Sequence, residues 1–399
     1  MQNQIYEELL GLPQLQVNAV SVSAECIDIY CESAFKACHC PVCLEPTTKI
    51  NQCYERTVRD LPISGRRVSL HLRTYQFECE RCKRLFYERF SFVDPHQQMT
   101  TRYEHYIYQH CIGVEIQYVV VQEDVCWKTV DRIFKKYAEL ESVDLLAGVR
   151  ALGIDEIALK KGHNDFACVL VNLETGQVID VLPERTKAYL IEYFKGLGPA
   201  FCAGIEVFSS DMWSGFISTG EQMFANAMIV VDRFHFFAHI QKALDKTRKA
   251  LRSKYKDRDE LKRIKYMLLK NKQRLTEAEQ QQLDALFAQA AYVELKQVYE
   301  AKEALRAIFE SPLSRAEAVQ ALGHWEEAAT KQQNRFLAAF LKTFKTWKGY
   351  VVNYFQGHYS NGIVEGINNK IKLIKRRAFG YVNFDNFRRR VIIEFAGFH

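Results

Sequence analysis

Two Cys-x-x-Cys knuckles constrain this chain more than any other feature: Cys40-Pro41-Val42-Cys43 and Cys79-Glu80-Arg81-Cys82. Each knuckle presents two thiolates from one tight turn, and a pair of knuckles supplies the four ligands of one tetrahedral zinc. The long segment between them must therefore double back. Val68, Leu70, Leu72 and the run Tyr75 to Phe77 alternate as a strand does, so a hairpin through them brings the knuckles together. Free core cysteines are the alternative reading, and Cys38, His39 and Cys53 are substitute ligands. Four protein ligands close the site, which makes such a zinc structural. Around the second knuckle, Arg81, Lys83, Arg84, Phe86, Tyr87 and Arg89 mix basic and aromatic side chains in a way that suits a phosphate backbone.

A chain of 399 residues, 48% of them hydrophobic and 13% aromatic, is long enough for two or three separately packed cores. The net charge of +6 is a mild hint of an anionic partner. No apolar run approaches the length of a membrane span, and the first residues lack the pattern of a signal peptide. A soluble, cytoplasmic protein without a membrane partner is expected. In that compartment the twelve cysteines serve as metal ligands and reduced core thiols rather than as disulfides.

From residue 100 to about 140 the pattern becomes helical. Tyr118 to Gln122, the turn Glu123-Asp124, and a second helix starting near Trp127 form a helix-turn-helix candidate. In that motif the early residues of the second helix meet the major groove, which nominates Lys128, Thr129 and Arg132; a plain helical hairpin is the competing reading.

At Ala151 the texture changes to strands. Segments 151–159, 166–173 and 177–183 read as an antiparallel meander, followed by a helix over Lys187–Leu197. Two buried strands then end in carboxylates, at Asp211 and at Asp232. Three strands, a helix, then strand–helix–strand is the order of a ribonuclease-H-like fold. In that fold Asp155 lies at the centre of the first strand and Asp211 ends the fourth. A carboxylate inside the apolar run Leu152, Ile154, Ile157 needs a partner or a cation; for Asp211 a strand-end capping role and metal binding both remain open. From 238 to 350 the chain reads as long helices, and its stretch 246–265 is rich in Lys and Arg, either as a backbone-binding surface or as a solvated helix face. Past it, Ser360 and Asn361 can cap a helix with Ile363, Ile367, Ile371 and Ile374 on one side and Glu365, Asn369, Lys372 and Arg376 on the other.

Several of these segments together resemble the insertion-sequence transposases of the ISL-three type: Cys40-Pro41-x-Cys43, Cys79-x-x-Cys82 with Phe86-x-Glu88-Arg89, Gly153-Ile154-Asp155-Glu156, Ser210-Asp211-Met212-Trp213, Val231-Asp232-Arg233-Phe234-His235, and Ser360-Asn361-Gly362-x-x-Glu365-Gly366-x-Asn368-x-x-Ile371-Lys372. The resemblance implies a bacterial, nucleoid-associated DDE transposase in which Asp155, Asp211 and Glu365 hold two Mg²⁺ (or Mn²⁺) ions, with one structural Zn²⁺ in the N-terminal module. It implies double-stranded DNA as partner, both the element's terminal inverted repeats and a target, and a homodimer that holds two ends together. Lys372, Lys375, Arg376 and Arg377 would position the DNA strand, and Arg388, Arg389 and Arg390 would extend that track. Asp232 and His235 are either accessory groups beside the site or a structural pair; Trp213 either stacks on an unpaired base or caps the core.

The expected architecture is α+β and multi-domain: a zinc-ribbon-like domain (1–95), a helix-turn-helix module (96–147), a ribonuclease-H-like core (148–237 and 351–399) and an all-α insertion (238–350). The alternatives are a nuclease without strand transfer, a transposase-derived DNA-binding regulator and, more distantly, a zinc hydrolase. Three converging carboxylates argue against the regulator.

Overall fold

The computed structural model describes residues 2–140, 144–159, 166–255, 260–381 and 383–396. It divides into two compact units, Met1–Ser142 and Val143–His399.

In the first unit, helix α1 (Gln2–Leu10) precedes strands β1 (Leu15–Val22) and β2 (Cys26–Ser33). The short strands β3 (Cys38–His39) and β4 (Pro46–Thr47) flank the first knuckle, and β5 (Ile50–Ile63) pairs with β6 (Arg66–Glu78) as a long hairpin. Ser64 and Gly65, with φ of 50° and 75°, turn that hairpin through the left-handed region that its twist requires. Strand β7 (Leu85–Tyr87) then adds to β6, giving the order β1-β2-β6-β5 with β7 off the path. Alternate residues Val58, Val68, Leu70 and Leu72 are fully buried and pack with Val17 and Ile29.

Three helices complete this unit: α2 (Thr101–Cys111), α3 (Ile116–Glu123) and α4 (Trp127–Leu140). Asp124, left-handed at φ 49°, ends α3, so the turn and the second helix fall where the sequence indicates. Val130, Ile133, Phe134 and Tyr137 form the buried stripe of α4. Glu104 of α2, 1% exposed, accepts hydrogen bonds from Arg132 at 2.7 Å and Lys136 at 2.6 Å, which ties α4 to α2 through a buried carboxylate.

The second unit is built on β8 (Ala151–Ala158), β9 (Phe166–Asn172), β10 (Val178–Leu182), β11 (Val207–Ser210) and β12 (Met228–Val231), in the order β10-β9-β8-β11-β12. The first three strands are an antiparallel meander, whereas β8, β11 and β12 run parallel. Helices α5 (Lys187–Leu197) and α6 (Pro199–Gly204) precede β11, and α7 (Ser214–Met223) links β11 to β12. This is the ribonuclease-H-like order.

Helix α8 (Arg233–Lys254) leaves β12 directly and continues into the insertion, through α9 (Glu260–Arg263), α10 (Lys265–Leu269), α11 (Glu277–Phe287), α12 (Val293–Glu310), α13 (Arg315–Lys331) and α14 (Arg335–Val351). Capping boxes at Thr276/Glu279 and Ser314/Glu317 start α11 and α13. Leu152, Ile154 and Phe208 on one face of the sheet join a core that continues through Phe236 into Phe309, Phe340 and Phe344 of the insertion.

The opposite face, with Ile157, Val169 and Val171, is covered by α15 (Gly362–Arg377) and α16 (Phe384–Ala396). The buried stripe of α15 is Val364, Ile367, Ile371 and Ile374; Ile363, expected on it, is 46% exposed. The helix starts at Gly362 with Asn361 at its N-cap, as the sequence indicates, but its buried face takes Val364 in place of Ile363. Val364 then lies against Gly153, where a Cβ would come within 3.2 Å of it.

Candidate metal centres and nucleic-acid contacts

The two knuckles are copies of one turn. Leu44 N–H bonds Cys40 O and Lys83 N–H bonds Cys79 O, both at 2.9 Å, with Leu44 and Lys83 left-handed at φ 60° and 59°. The β5–β6 hairpin sets them side by side, and the sulfurs of Cys40, Cys43, Cys79 and Cys82 all lie within 4.8 Å of one another. Individual Sγ–Sγ separations are 3.5 Å (Cys40–Cys82), 3.4 Å (Cys43–Cys79) and 3.7 Å (Cys43–Cys82). A tetrahedron of 2.3 Å zinc–sulfur bonds has edges of about 3.8 Å, so these four thiols fit zinc. Backbone N–H groups inside each knuckle pull two thiols toward the thiolate: Cys43 and Val42 act on Cys40, bringing it to about 6, while Cys82 and Arg81 act on Cys79. Cys38, His39 and Cys53 stand outside this cluster; burial pushes the Cys38 thiol up, toward the neutral form that does not ligate.

The second candidate centre lies where β11 and β12 end beside the middle of β8. β11 pairs with β8 through Ser209↔Gly153 and with β12 through Ser210↔Val231. Continuing that register, Asp155, Asp211 and Asp232 share one row, and Asp232 N–H bonds Ser210 O at 2.8 Å. Burial raises the carboxyl of all three above the usual range, taking Asp211 to about 6; His235 opposes the shift in each case, and Asp155 adds repulsion at Asp211. Asp232 stands at the N-cap of α8, where the amides of Phe234 and His235 draw it back toward ionisation.

Oxygen atoms without a partner concentrate on the elements that meet here. Ser209 Oγ, Asp211 Oδ1, Asp232 Oδ1, Asn361 Oδ1 and Asn368 Oδ1 are all buried and accept no hydrogen bond. Buried oxygens in that state are costly, and a hard divalent cation is the ligand that hard oxygens favour. The carboxylate oxygens among them, Asp211 Oδ1 and Asp232 Oδ1, are donors of the class that suits Mg²⁺ or Mn²⁺.

The placement of Glu365 differs from that of the aspartates. It is exposed on α15, and the residue of that helix that touches Asp155 is Asn368, whose Nδ2 donates to Asp155 Oδ2 at 2.8 Å. Asp155, Asp211 and Glu365 are not gathered within 4.8 Å; among the described residues, the four thiols are the group that is. Glu365 lies one turn before Asn368 on the same side of the helix. Trp213 folds over Gly215, packs edge-on against Phe216 at 4.7 Å and has Arg185 above its ring at 5.6 Å. Arg185 also pairs with Glu156, next to Asp155.

The basic residues named from the sequence divide into two kinds. Lys375 donates to Ala158 O, Arg377 pairs with Glu394, Arg388 forks onto Asp180, and Arg390 is 5% exposed. These four hold α15, α16 and the sheet together, so the continuous basic track expected along them is interrupted. Lys372 and Arg376 are exposed. In the first unit Arg84 and Lys128 are exposed, Thr129 shares its hydroxyl with Cys126 Sγ at 3.1 Å, and Arg132 is held by Glu104. Within 246–265, Arg248 is buried against Asp245 and Leu261 O, whereas Lys256 and Arg258 lie outside the described residues.

Asn361, read from the sequence as a helix cap, and Asn368, read only as part of a motif, were given no role at the site, and neither were Ser209 and the Glu156–Arg185 pair. A signal for Asn368 existed: it falls on the buried stripe of α15, where an uncharged polar residue needs a partner.

A family model of ISL3 transposases, described as a transposase, matches residues 152–391. The chain belongs to the ISL3 family of DDE transposases. A second model, described as the zinc-finger of transposase IS204/IS1001/IS1096/IS1165, matches residues 36–82 of this transposase, around the thiol cluster. The transposase is 29% identical over 380 residues to the transposase for insertion sequence element IS1001 of Bordetella parapertussis, covering 93% of this chain and 92% of the relative. It is 28% identical over 284 residues to the transposase for insertion sequence element IS1557 of Mycobacterium tuberculosis, covering 64% and 63%. No helix among the described residues of the transposase is long and apolar enough to cross a membrane.

Proposed function

We propose that this transposase binds the terminal inverted repeats of its own insertion sequence and catalyses metal-dependent cleavage and transfer of the DNA strand at those ends. The observation that carries the chemistry is the row Asp155, Asp211, Asp232 across the parallel strands β8, β11 and β12, in which Asp211 and Asp232 each keep an unpartnered buried oxygen. Asp155, Asp211 and Glu365 would hold the cations, Glu365 from the exposed side of α15. When bound, a pair of divalent ions supplies activation of the attacking hydroxyl and neutralisation of the leaving 3′ oxygen.

The chain's own groups do the rest. Asp155 is held in one orientation, Oδ1 accepting from Glu156 N–H at 2.7 Å and Oδ2 from Asn368. Exposed Lys372 and Arg376, on the turns of α15 that follow, would grip the phosphates of the strand presented to the row. His235, exposed and close enough to lower the carboxyls of all three aspartates, is suited to meet the backbone at the mouth of the site. Trp213, already committed to Gly215 and Phe216, suits the wall of the site better than base stacking. In the first unit, Arg84 and Lys128 are the exposed cations that would contact the repeats, and a homodimer would hold two ends at once.

The test is incubation of the full, zinc-loaded protein and Mg²⁺ with duplexes carrying the element's own ends and a supercoiled target. Cut and joined products that disappear in Asp155→Ala and Glu365→Ala are expected. Cleavage that survives either substitution overturns the assignment, and cleavage without joining favours the nuclease reading.

A further inference from the structure

We infer that Asn368 is a positioning residue that orients the Asp155 carboxylate for cation binding, a role distinct from docking its helix. The inference rests on reading the aspartate row as the cation site.

Three of the contacts that seat α15 on β8 fall at consecutive strand residues. Gly153 lets Val364 approach; Ile154 O accepts from Asn361 Nδ2 at 3.1 Å; Asp155 Oδ2 accepts from Asn368 Nδ2 at 2.8 Å. The two asparagines lie two turns apart on one side of the helix, and each is 4% exposed. A carbonyl and a carboxylate can only accept, so chemistry fixes both amides with the NH₂ toward the strand and Oδ1 away from that bond. Both Oδ1 atoms are buried without a donor.

The two asparagines thus make equivalent contributions to seating the helix and unequal ones to the site. The Asn361 side chain grips a backbone oxygen that takes no part in cation binding, and the bond Asn361 makes to Asp232 comes from its backbone amide, which Asn361→Leu retains. Asn368 grips a carboxylate whose other oxygen is already fixed by Glu156 N–H, so together the two donors leave Asp155 a single orientation, with lone pairs on both oxygens still open. Neighbours that orient a ligating carboxylate in this way are worth 10- to 100-fold in metal affinity.

This pairing supplies its own control. Mn²⁺ binding to the full, zinc-loaded chain, with and without an end-sequence duplex, is followed by electron paramagnetic resonance for wild type, Asn368→Leu, Asn361→Leu and Asp155→Ala. Asn368→Leu should weaken Mn²⁺ binding by at least about 10-fold, Asn361→Leu by less than about threefold, and Asp155→Ala should remove the site. Should Asn368→Leu lose the wild-type circular dichroism, Asn368→Ala makes the same deletion without added bulk. Equal weakening by the two asparagine variants assigns the effect to helix seating and overturns the inference. Unchanged affinity in Asn368→Leu with loss in Asp155→Ala overturns it while leaving the cation site standing. A wild-type chain that binds no Mn²⁺ in either state overturns the site itself.

Discussion

The thiol cluster and the aspartate row of this transposase differ in what the chain does for itself. The thiol cluster is complete within the first unit: its knuckle amides stabilise thiolates, its sulfurs sit at nearly tetrahedral spacing, and nothing further is needed but the ion. The aspartate row is the reverse, with raised carboxyls and, at Asp211 and Asp232, a buried oxygen that bonds to nothing. A structural site is built at its energetic minimum, whereas a site for chemistry holds groups in a state that only its ligands relieve. The same contrast separates the cations: Arg388 and Arg377 are satisfied within the fold, Lys372 and Arg376 face solvent.

The strongest way to break the comparison is to open the closed site. Cys79→Ser with Cys82→Ser, or a strong chelator, should remove a zinc whose binding is worth on the order of 10 kcal/mol. Zinc analysis and hydrogen exchange should show metal loss with exposure of the β5–β6 hairpin near the knuckles. Retention of both zinc and protection would show that the cluster is not what staples this sheet.

The converse substitution at the row should cost activity and not stability. Asp211→Asn is expected to lower strand cleavage by about 10³-fold or more, the several kcal/mol of stabilisation that a metal-held phosphate loses. Without divalent ions the same variant should melt no lower than wild type, because it removes a buried charge that Asp155 repels. A melting temperature well below wild type would mean that Asp211 is already satisfied.

Among the cations, Arg388→Ala leaves Asp180, 4% exposed, without its fork and should cost about 2 kcal/mol in urea unfolding. Lys372→Ala should leave unfolding unchanged, weaken DNA binding several-fold and reduce the slope of log affinity against log salt by about 1. An unchanged salt slope would remove Lys372 from the interface.

The smallest effect belongs to a satisfied pair in the first unit. A hydrogen bond from His71, 2.8 Å from Asp28 Oδ1, holds the Asp28 carboxyl below its usual value. A depressed carboxyl contributes stability that is present above its unfolded pKa of 3.8 and is lost as pH falls through the lower folded value. Asp28→Asn should flatten that acid limb by no more than about 1 kcal/mol, read as the acid-unfolding midpoint; an unaltered midpoint would leave the pair energetically silent.

Strand order, the ends of the two helices around Asp124 and the four-thiol cluster were legible in the sequence because each is written locally, in alternation, in turn residues and in ligand spacing. The face that α15 buries was not. Helical periodicity admits Ile363 or Val364 as the start of the apolar stripe, and Gly153, on a strand far away in the chain, decides for Val364. The fates of Lys375, Arg377 and Arg388 were hidden for the same reason, since Ala158, Glu394 and Asp180 meet them only after folding. Among the described residues, the row's third aspartate was visible as a strand end, but its alignment with Asp155 and Asp211 depends on sheet register, which composition does not encode.

Helix α8 carries a mechanical consequence. It starts at the residue after Asp232 and runs for 22 residues, about 33 Å, into the insertion without a break. A rod of that length anchored beside a carboxylate is a lever with its short end in the site. Phe236, Ile240, Leu244 and Leu251 are buried along that rod, so the core of the insertion fixes the angle at which Asp232 enters the row.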